Sequence, residues 1–143
     1  MFFNTFEDRI QLWRNFRQEL EVHPDPLIAV IEFWNRAPIG ARICDPYDRD
    51  SWPDPWELIQ ENNYCEFGKI LAMYYTLALT DRFQNEKFQL CICLDRSRQH
   101  LYYMLYSGDI VIGYHYDQII DKKNLPTTLN FLANYILIPS EYH

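Results

Sequence analysis

The stretch NNYCEFGKILAMYYTLALT (residues 62–80) decides how the rest of this chain is read. A polar entrance leads into an apolar body, and the spacing predicts a long helix with Cys65 in its first turn. Its side chains sort by size. Cys65, Gly68, Ala72 and Thr76 recur at three, four and four, a narrow stripe of small residues, while Phe67, Ile70 or Leu71, Tyr74 and Leu77 or Ala78 make a bulky one. A small stripe lets a neighbouring backbone come close, so a sheet is expected to meet the helix there, beside Cys65, with the bulky stripe filling a core.

That position gives Cys65 chemistry as well as packing. The first turn of a helix has unpaired N–H groups and a partial positive charge, which favour a thiolate and can hold a developing oxyanion. The competing reading is a small core residue, the usual fate of a free cysteine.

Working toward the N-terminus, Asp54-Pro55 reads as a cap and first helical position for a short helix, WELIQEN. Residues 38–55 carry four prolines and one glycine, so little regular structure is expected beyond a short strand at 41–44. Asp45, Asp48 and Asp50 suggest calcium, but the loop lacks the Gly and distant Glu of an EF-hand. Turn-forming bonds to nearby backbone suit Asp45 and Asp48 better, with Trp52 and Trp56 clipping the loop to the core. Asp25 and Pro26 open a helix with Leu27, Val30, Ile31 and Trp34 on one side, and Pro24 biases His23 into a loop. Thr5 caps a first amphipathic helix that carries Phe6, Ile10, Trp13, Phe16 or Arg17, and Leu20 on one face.

Beyond Thr80 the period changes from 3.6 to 2. KFQLCICLD (87–95), HLYYMLY (100–106) and IVIGYHY (110–116) read as strands of an antiparallel meander, joined by RSRQ and by Ser107-Gly108-Asp109. Cys91 and Cys93 share one face, a packing pattern. Thr127 or Thr128 then caps an expected last helix, LNFLANYIL (129–137), stopped by Pro139 and followed by the short polar tail SEYH. The fold class that results is α+β in a single domain, residues 1–143, with N-terminal helices and a central Cys-bearing helix packed on a three-stranded antiparallel meander.

Composition bounds function. The net charge of −7 argues against a phosphate-binding surface, and hence against nucleic acid as a partner. No stretch is long and apolar enough for a membrane span, and MFFNTFEDRI lacks the regions of a signal peptide, so synthesis in the cytoplasm is expected. Four cysteines with no CxxC pair indicate reduced thiols rather than a zinc site or disulfide framework, and neither cofactor nor metal is expected. Aromatic residues make up 17% of the chain, a surplus that suits a large core or a protein–protein interface.

One constellation could carry a reaction. Reflecting the hairpin about Ser107-Gly108 sets His100 opposite residues 115–117, so Asp117 could orient the His100 imidazole while Cys65 serves as nucleophile and His100 as base. His115 and Asp109 are rival partners. In this order and spacing residues 62–117 resemble the transglutaminase-like branch of the papain-like superfamily. There a Cys at a helix start is followed by a His heading a strand and an Asp about sixteen residues on; here the interval is seventeen. Tyr102 supplies the aromatic residue expected two after the His, and GYHYD loosely matches the lead into the Asp. The resemblance implies a cysteine hydrolase or acyl transferase acting on peptide or glutamine amides.

A second resemblance rests on DPLIAVIEFWNRAP and on the long run from DPYDRDSWPDPWELIQ into the Cys-bearing helix. These look like small virion-associated proteins of tailed phages, particularly T-even-like phages of cyanobacteria. That resemblance implies a structural or assembly component of tail, neck or baseplate, made in the host cytoplasm and carried in the virion. Its partners would be other virion proteins, or further copies of itself. An enzyme fold retained as an inert assembly module would reconcile the two.

Overall fold

The computed structural model describes residues 1–141; Tyr142 and His143, the end of the polar tail, lie outside the described residues. In chain order the helices are α1 (Phe6–Leu20), α2 (Pro26–Asn35), α3 (Pro55–Glu61) and α4 (Glu66–Ala78). The strands are β1 (Phe88–Asp95), β2 (His100–Ser107), β3 (Ile110–Ile112), β4 (Ile120–Asp121) and β5 (Leu129–Leu137). All strand pairs are antiparallel, in the order β4-β3-β2-β1-β5. The α+β class stands, and the sheet has five strands where three were expected.

Local chemistry accounts for most of the helices. Thr5 accepts from the Asp8 N–H and Asp54 from the Glu57 N–H, so two expected caps are made. Asp25 caps differently: its side chain makes no cap bond, and its own N–H donates to His23 Nδ1. The C-terminus of α3 is closed by a distant residue. Arg9 Nε donates to the Ile59 carbonyl and Nη2 to that of Gln60, while Nη1 reaches the Asn4 carbonyl. A cation is thereby placed against the negative end of a short helix.

Four expectations need correction. Residues 129–137 form a strand, β5, paired with β1 from Leu137 to Leu129 with a bulge at Leu132. Ala133, Tyr135 and Leu137 share the helix-facing side, the bulge at Leu132 puts Phe131 and Leu129 on the other, and β1, buried on both faces, needs partners on both edges for its N–H and C=O groups. The strand expected at 110–116 stops at Ile112, because Gly113 turns away with φ 102°. The strand expected at 41–44 is absent; the nearest pairing is an isolated parallel bridge between Ile39 and Tyr64. The central helix begins at Glu66, since Asn62 adopts the left-handed conformation that ends α3.

The stripes of α4 also face opposite to expectation. The bulky side meets the sheet: Tyr74 lies edge-on to Phe88 and Phe67 to Tyr103. The small side meets the helices and the proline-rich segment. Thr76 Oγ1 accepts from the indoles of both Trp13 (3.0 Å) and Trp34 (2.9 Å), and its own hydroxyl donates to the Ala72 carbonyl. The reason is volume. A sheet face stands far enough from a helix axis for large rings to fill the gap, whereas two indoles bring their own bulk and need small residues opposite.

Helices thus cover one face of the sheet, where Phe88, Leu90, Leu105 and Ile112 join the main core. The other face holds a second cluster, Cys91, Cys93, Met104, Tyr106 and Val111, roofed by Tyr114, Ile120 and Leu125. Cys91 and Cys93 are packing residues there; burial pushes their thiols up to about 11 and about 12. As expected, Asp45 Oδ1 accepts from the Tyr47 N–H, and Trp52 clips its loop to Phe67 and Tyr135. Trp56 lies edge-on to Trp13. None of the described helices is long and apolar enough to cross a membrane.

Candidate functional site

Cys65 is the N-cap of α4 rather than a residue within its first turn, with extended backbone (φ −95°, ψ 174°). Its Sγ accepts from the Gly68 N–H at 3.3 Å. A thiol is a weak acceptor where Ser, Thr or Asp is the common choice, so the cap is poor unless sulfur carries charge. Cys65 is half-buried, and the missing side chain of Gly68 leaves room around it.

Two neighbours of Cys65 escaped the sequence reading. A Cβ built on Gly68 would sit 3.5 Å from Cys65 Sγ and 3.9 Å from Cys44 Sγ, so both sulfurs border one small space. Burial pushes the Cys44 thiol up to about 11, the adjacent Cys65 adds to that rise, and Arg42 opposes it. The second neighbour is Tyr103 on β2, whose hydroxyl is pushed up by burial and, after Tyr47, by Cys65. Gly68 inside a helix was the available signal, since a helical glycine marks close approach; nothing in the spacing named Cys44 as the residue approaching.

His100 opens β2 as expected, opposite Asp95 on β1. It is exposed, with its ring 4.5 Å from that of Tyr102, which in turn lies 4.9 Å from Tyr114. Strand alternation therefore puts His100 on the Tyr102–Met104 side, while Tyr103 takes the side toward α4. Asp117 is exposed in the bend after β3. The reflection that set it opposite His100 requires a ladder out to residue 117, and pairing between β2 and β3 ends at Leu105 and Ile112. Among the described residues no hydrogen bond joins Cys65, His100 and Asp117. Of the rivals, Asp109 lies apart, paired with Lys122, while His115 rests on Tyr114 and lines the same cavity as His100.

A cavity of about 360 Å³ is lined by His100, and by the chain neighbours of Cys65 and Asp117 rather than by those two residues themselves. Because β3 leaves early, the edge of β2 from 100 to 104 is uncovered, and residues from both faces of that strand reach the opening. Its rim includes Glu66, next to Cys65; His100 itself; and Tyr116, next to Asp117. Lys69 projects from α4 into the same space, its ammonium pKa lowered by burial and partly restored by Glu66. Asn35 holds the far wall by donating to the Tyr116 carbonyl at 2.8 Å. The space is mixed in character, apolar at Ile70 and Met73 and polar at the histidines, the usual make-up of a small-molecule or peptide site.

No protein-family model and no curated protein matches the sequence. Among solved structures the chain is similar to calcium-bound LapG of Legionella pneumophila, with a TM-score of 0.66 and 16% identity, over 92% of this chain and 76% of that one. At that identity the likeness establishes the fold alone. The chain has an α+β architecture of the transglutaminase-like type.

Proposed function

We propose that this protein is a transglutaminase-like cysteine hydrolase or acyl transferase in which Cys65 is the nucleophile, His100 the base and Asp117 the residue that orients the imidazole. The observation that carries the reading is the cavity whose rim runs past Glu66, His100 and Tyr116, beside an N-capping cysteine, in a fold of this type. The thiolate would attack an amide carbonyl carbon, moving the carbonyl electron pair onto oxygen near the first-turn N–H groups of α4. Collapse would expel the amine, which takes its proton from the imidazolium, and leave a thioester for water or a second amine to cleave. The reaction requires His100, which strand alternation turns to the face away from α4, to swing round the open edge of β2 to within about 3 Å of sulfur. The calcium named for LapG belongs to that protein. Among the described residues no three His, Cys, Asp or Glu are grouped to hold a metal, and no step uses one.

Iodoacetamide labelling at neutral pH tests the reading, with buried Cys91 and Cys93 as internal controls. Cys65 is expected to label far faster than either, and His100→Ala to slow it by about tenfold or more in a folded protein. Labelling of Cys65 only on unfolding, or at a rate indifferent to His100, would reject it.

A second, coarser reading is assembly with another protein chain through the edge of the sheet. β5 is an edge strand with no charged residue, and Phe131, Leu132 and Ile136 on it are 54%, 45% and 47% exposed. Natural edges are ordinarily protected by charge, proline or a bulge; this one has a bulge at Leu132 but neither of the others, and suits pairing with another chain on either side of it. Light scattering on Ala133→Pro should then show a smaller assembly than wild type; identical masses would remove the support.

A further inference from the structure

We infer that Cys44 and Cys65 are a redox pair, closed to a disulfide by peroxide and reopened by thiols. The geometry is that of two sulfurs facing one gap. Both lie within 4 Å of the point where a Gly68 side chain would begin, and Cys65 adds to the rise of the Cys44 thiol. Their backbones differ in freedom. Cys65 is fixed at a helix cap, whereas Cys44 lies in residues 36–54, which hold no longer element than the turn Arg49–Ser51. The segment is tied at Arg42, whose N–H donates to Asn63 Oδ1, and at Pro46, whose carbonyl accepts from the Tyr135 hydroxyl, so reaching the bonding distance of about 2.05 Å and a torsion near 90° falls to the residues between those ties and to rotation of the two side chains.

The two thiols are also unequal in a way that assigns the order of events. Cys65 is half-buried and Cys44 buried, so peroxide reaches Cys65 first. The Cys65 thiolate attacks one peroxide oxygen, the O–O bond breaks, and a sulfenic acid forms as hydroxide or alkoxide leaves. Cys44 then attacks the sulfenic sulfur; the S–S bond forms, the S–O bond breaks, and the departing hydroxide takes the Cys44 proton as water. Two electrons pass from the sulfurs to the peroxide. Arg42, two residues away and ion-paired with Glu61, opposes the effect of burial on the Cys44 thiol, which helps the second step. Cys91 and Cys93 are excluded, both buried on the opposite face of the sheet.

The pairing needs no catalytic role for Cys65; that it would reversibly silence the enzyme rests on the function proposed above. The test treats the native full chain with a small excess of hydrogen peroxide, blocks free thiols with iodoacetamide, and maps peptides without reductant. A Cys44–Cys65 cross-linked pair, two hydrogens lighter than its parts and released by dithiothreitol, is expected, with free thiols per denatured chain falling from four to two. In Cys44→Ser the cross-link should vanish and Cys65 run on to the sulfinic acid. Should that variant not fold, phenylarsine oxide on wild-type protein gives a second reading, since one arsenic bridges two adjacent thiols and would block both. Wild-type Cys65 carried to the sulfinic acid with Cys44 still free, or arsenic blocking neither, would overturn the inference. A cross-link in protein whose Cys65 is indifferent to His100 would reject catalysis alone; no cross-link beside a reactive, His100-dependent Cys65 would reject this pairing alone.

Discussion

Replacing Thr76 by Val tests how α4, the helix that carries Cys65, is held against its helical neighbours. Thr76 is fully buried, and its hydroxyl is saturated: it accepts from two indole N–H groups and donates to the Ala72 carbonyl. Valine keeps the shape and removes the acceptor, leaving the Trp13 and Trp34 N–H groups without their partner. Each unsatisfied buried donor costs about 1–3 kcal/mol, offset in part by the more apolar methyl, so a net loss of about 2–5 kcal/mol is expected. For a chain of this size that lowers Tm by roughly 8–20 °C. Thr76→Ser keeps the hydroxyl and loses one methyl, worth about 1 kcal/mol. Urea denaturation of the three proteins, followed by tryptophan fluorescence, reads both midpoint and slope, and an unchanged slope assigns the loss to the native state. The reasoning fails if Val lies within about 0.5 kcal/mol of wild type, or if Ser costs as much as Val.

Gly113→Ala should destabilise by roughly 2–4 kcal/mol, because its φ of 102° disfavours any side chain and the new Cβ would lie 2.3 Å from the Tyr103 carbonyl oxygen; a normal thermal melt would contradict this. Arg9→Met should cost about 2–4 kcal/mol by freeing the carbonyls of Ile59, Gln60 and Asn4, measured by chemical denaturation against an Arg14→Met control. Asp95 accepts from the Ser97 hydroxyl and N–H and from Thr128, and the Ser97 hydroxyl, first among these, lowers its pKa. A depressed folded pKa means stability that is present above the unfolded value of about 3.9 and lost as pH falls through the lower folded one. The gap in urea midpoint between wild type and Asp95→Asn should therefore close on acidification, and a gap constant from pH 6 downward would refute it.

The candidate site was legible in part. Cys65 could be found because its signal is local: a polar entrance, a small residue, then helical periodicity. His100 at the head of a strand follows equally from the alternation in HLYYMLY and the turn before it. What joins them was not local. Whether Asp117 stands opposite His100 depends on how far β3 follows β2, and that is set at Gly113 by the carbonyl of Tyr103, a contact between strands. Cys44 lies in a segment without period, so only the folded chain sets it beside Cys65.

By itself the sequence determined the four helices, the first two strands with their turns, and a cysteine at a helix start, because caps, prolines and hydrophobic periods act within a few residues of one another. Tertiary structure decided three things. It made LNFLANYIL a strand, since its apolar residues satisfy either period and only the open edge of β1 distinguishes them. It turned the bulky stripe of α4 to the sheet and the small stripe to two tryptophans, a choice made by the volumes on either side. And it gave Cys65 the neighbours Cys44 and Tyr103, which no spacing encodes, because contacts between distant segments are fixed by what fills space when layers close.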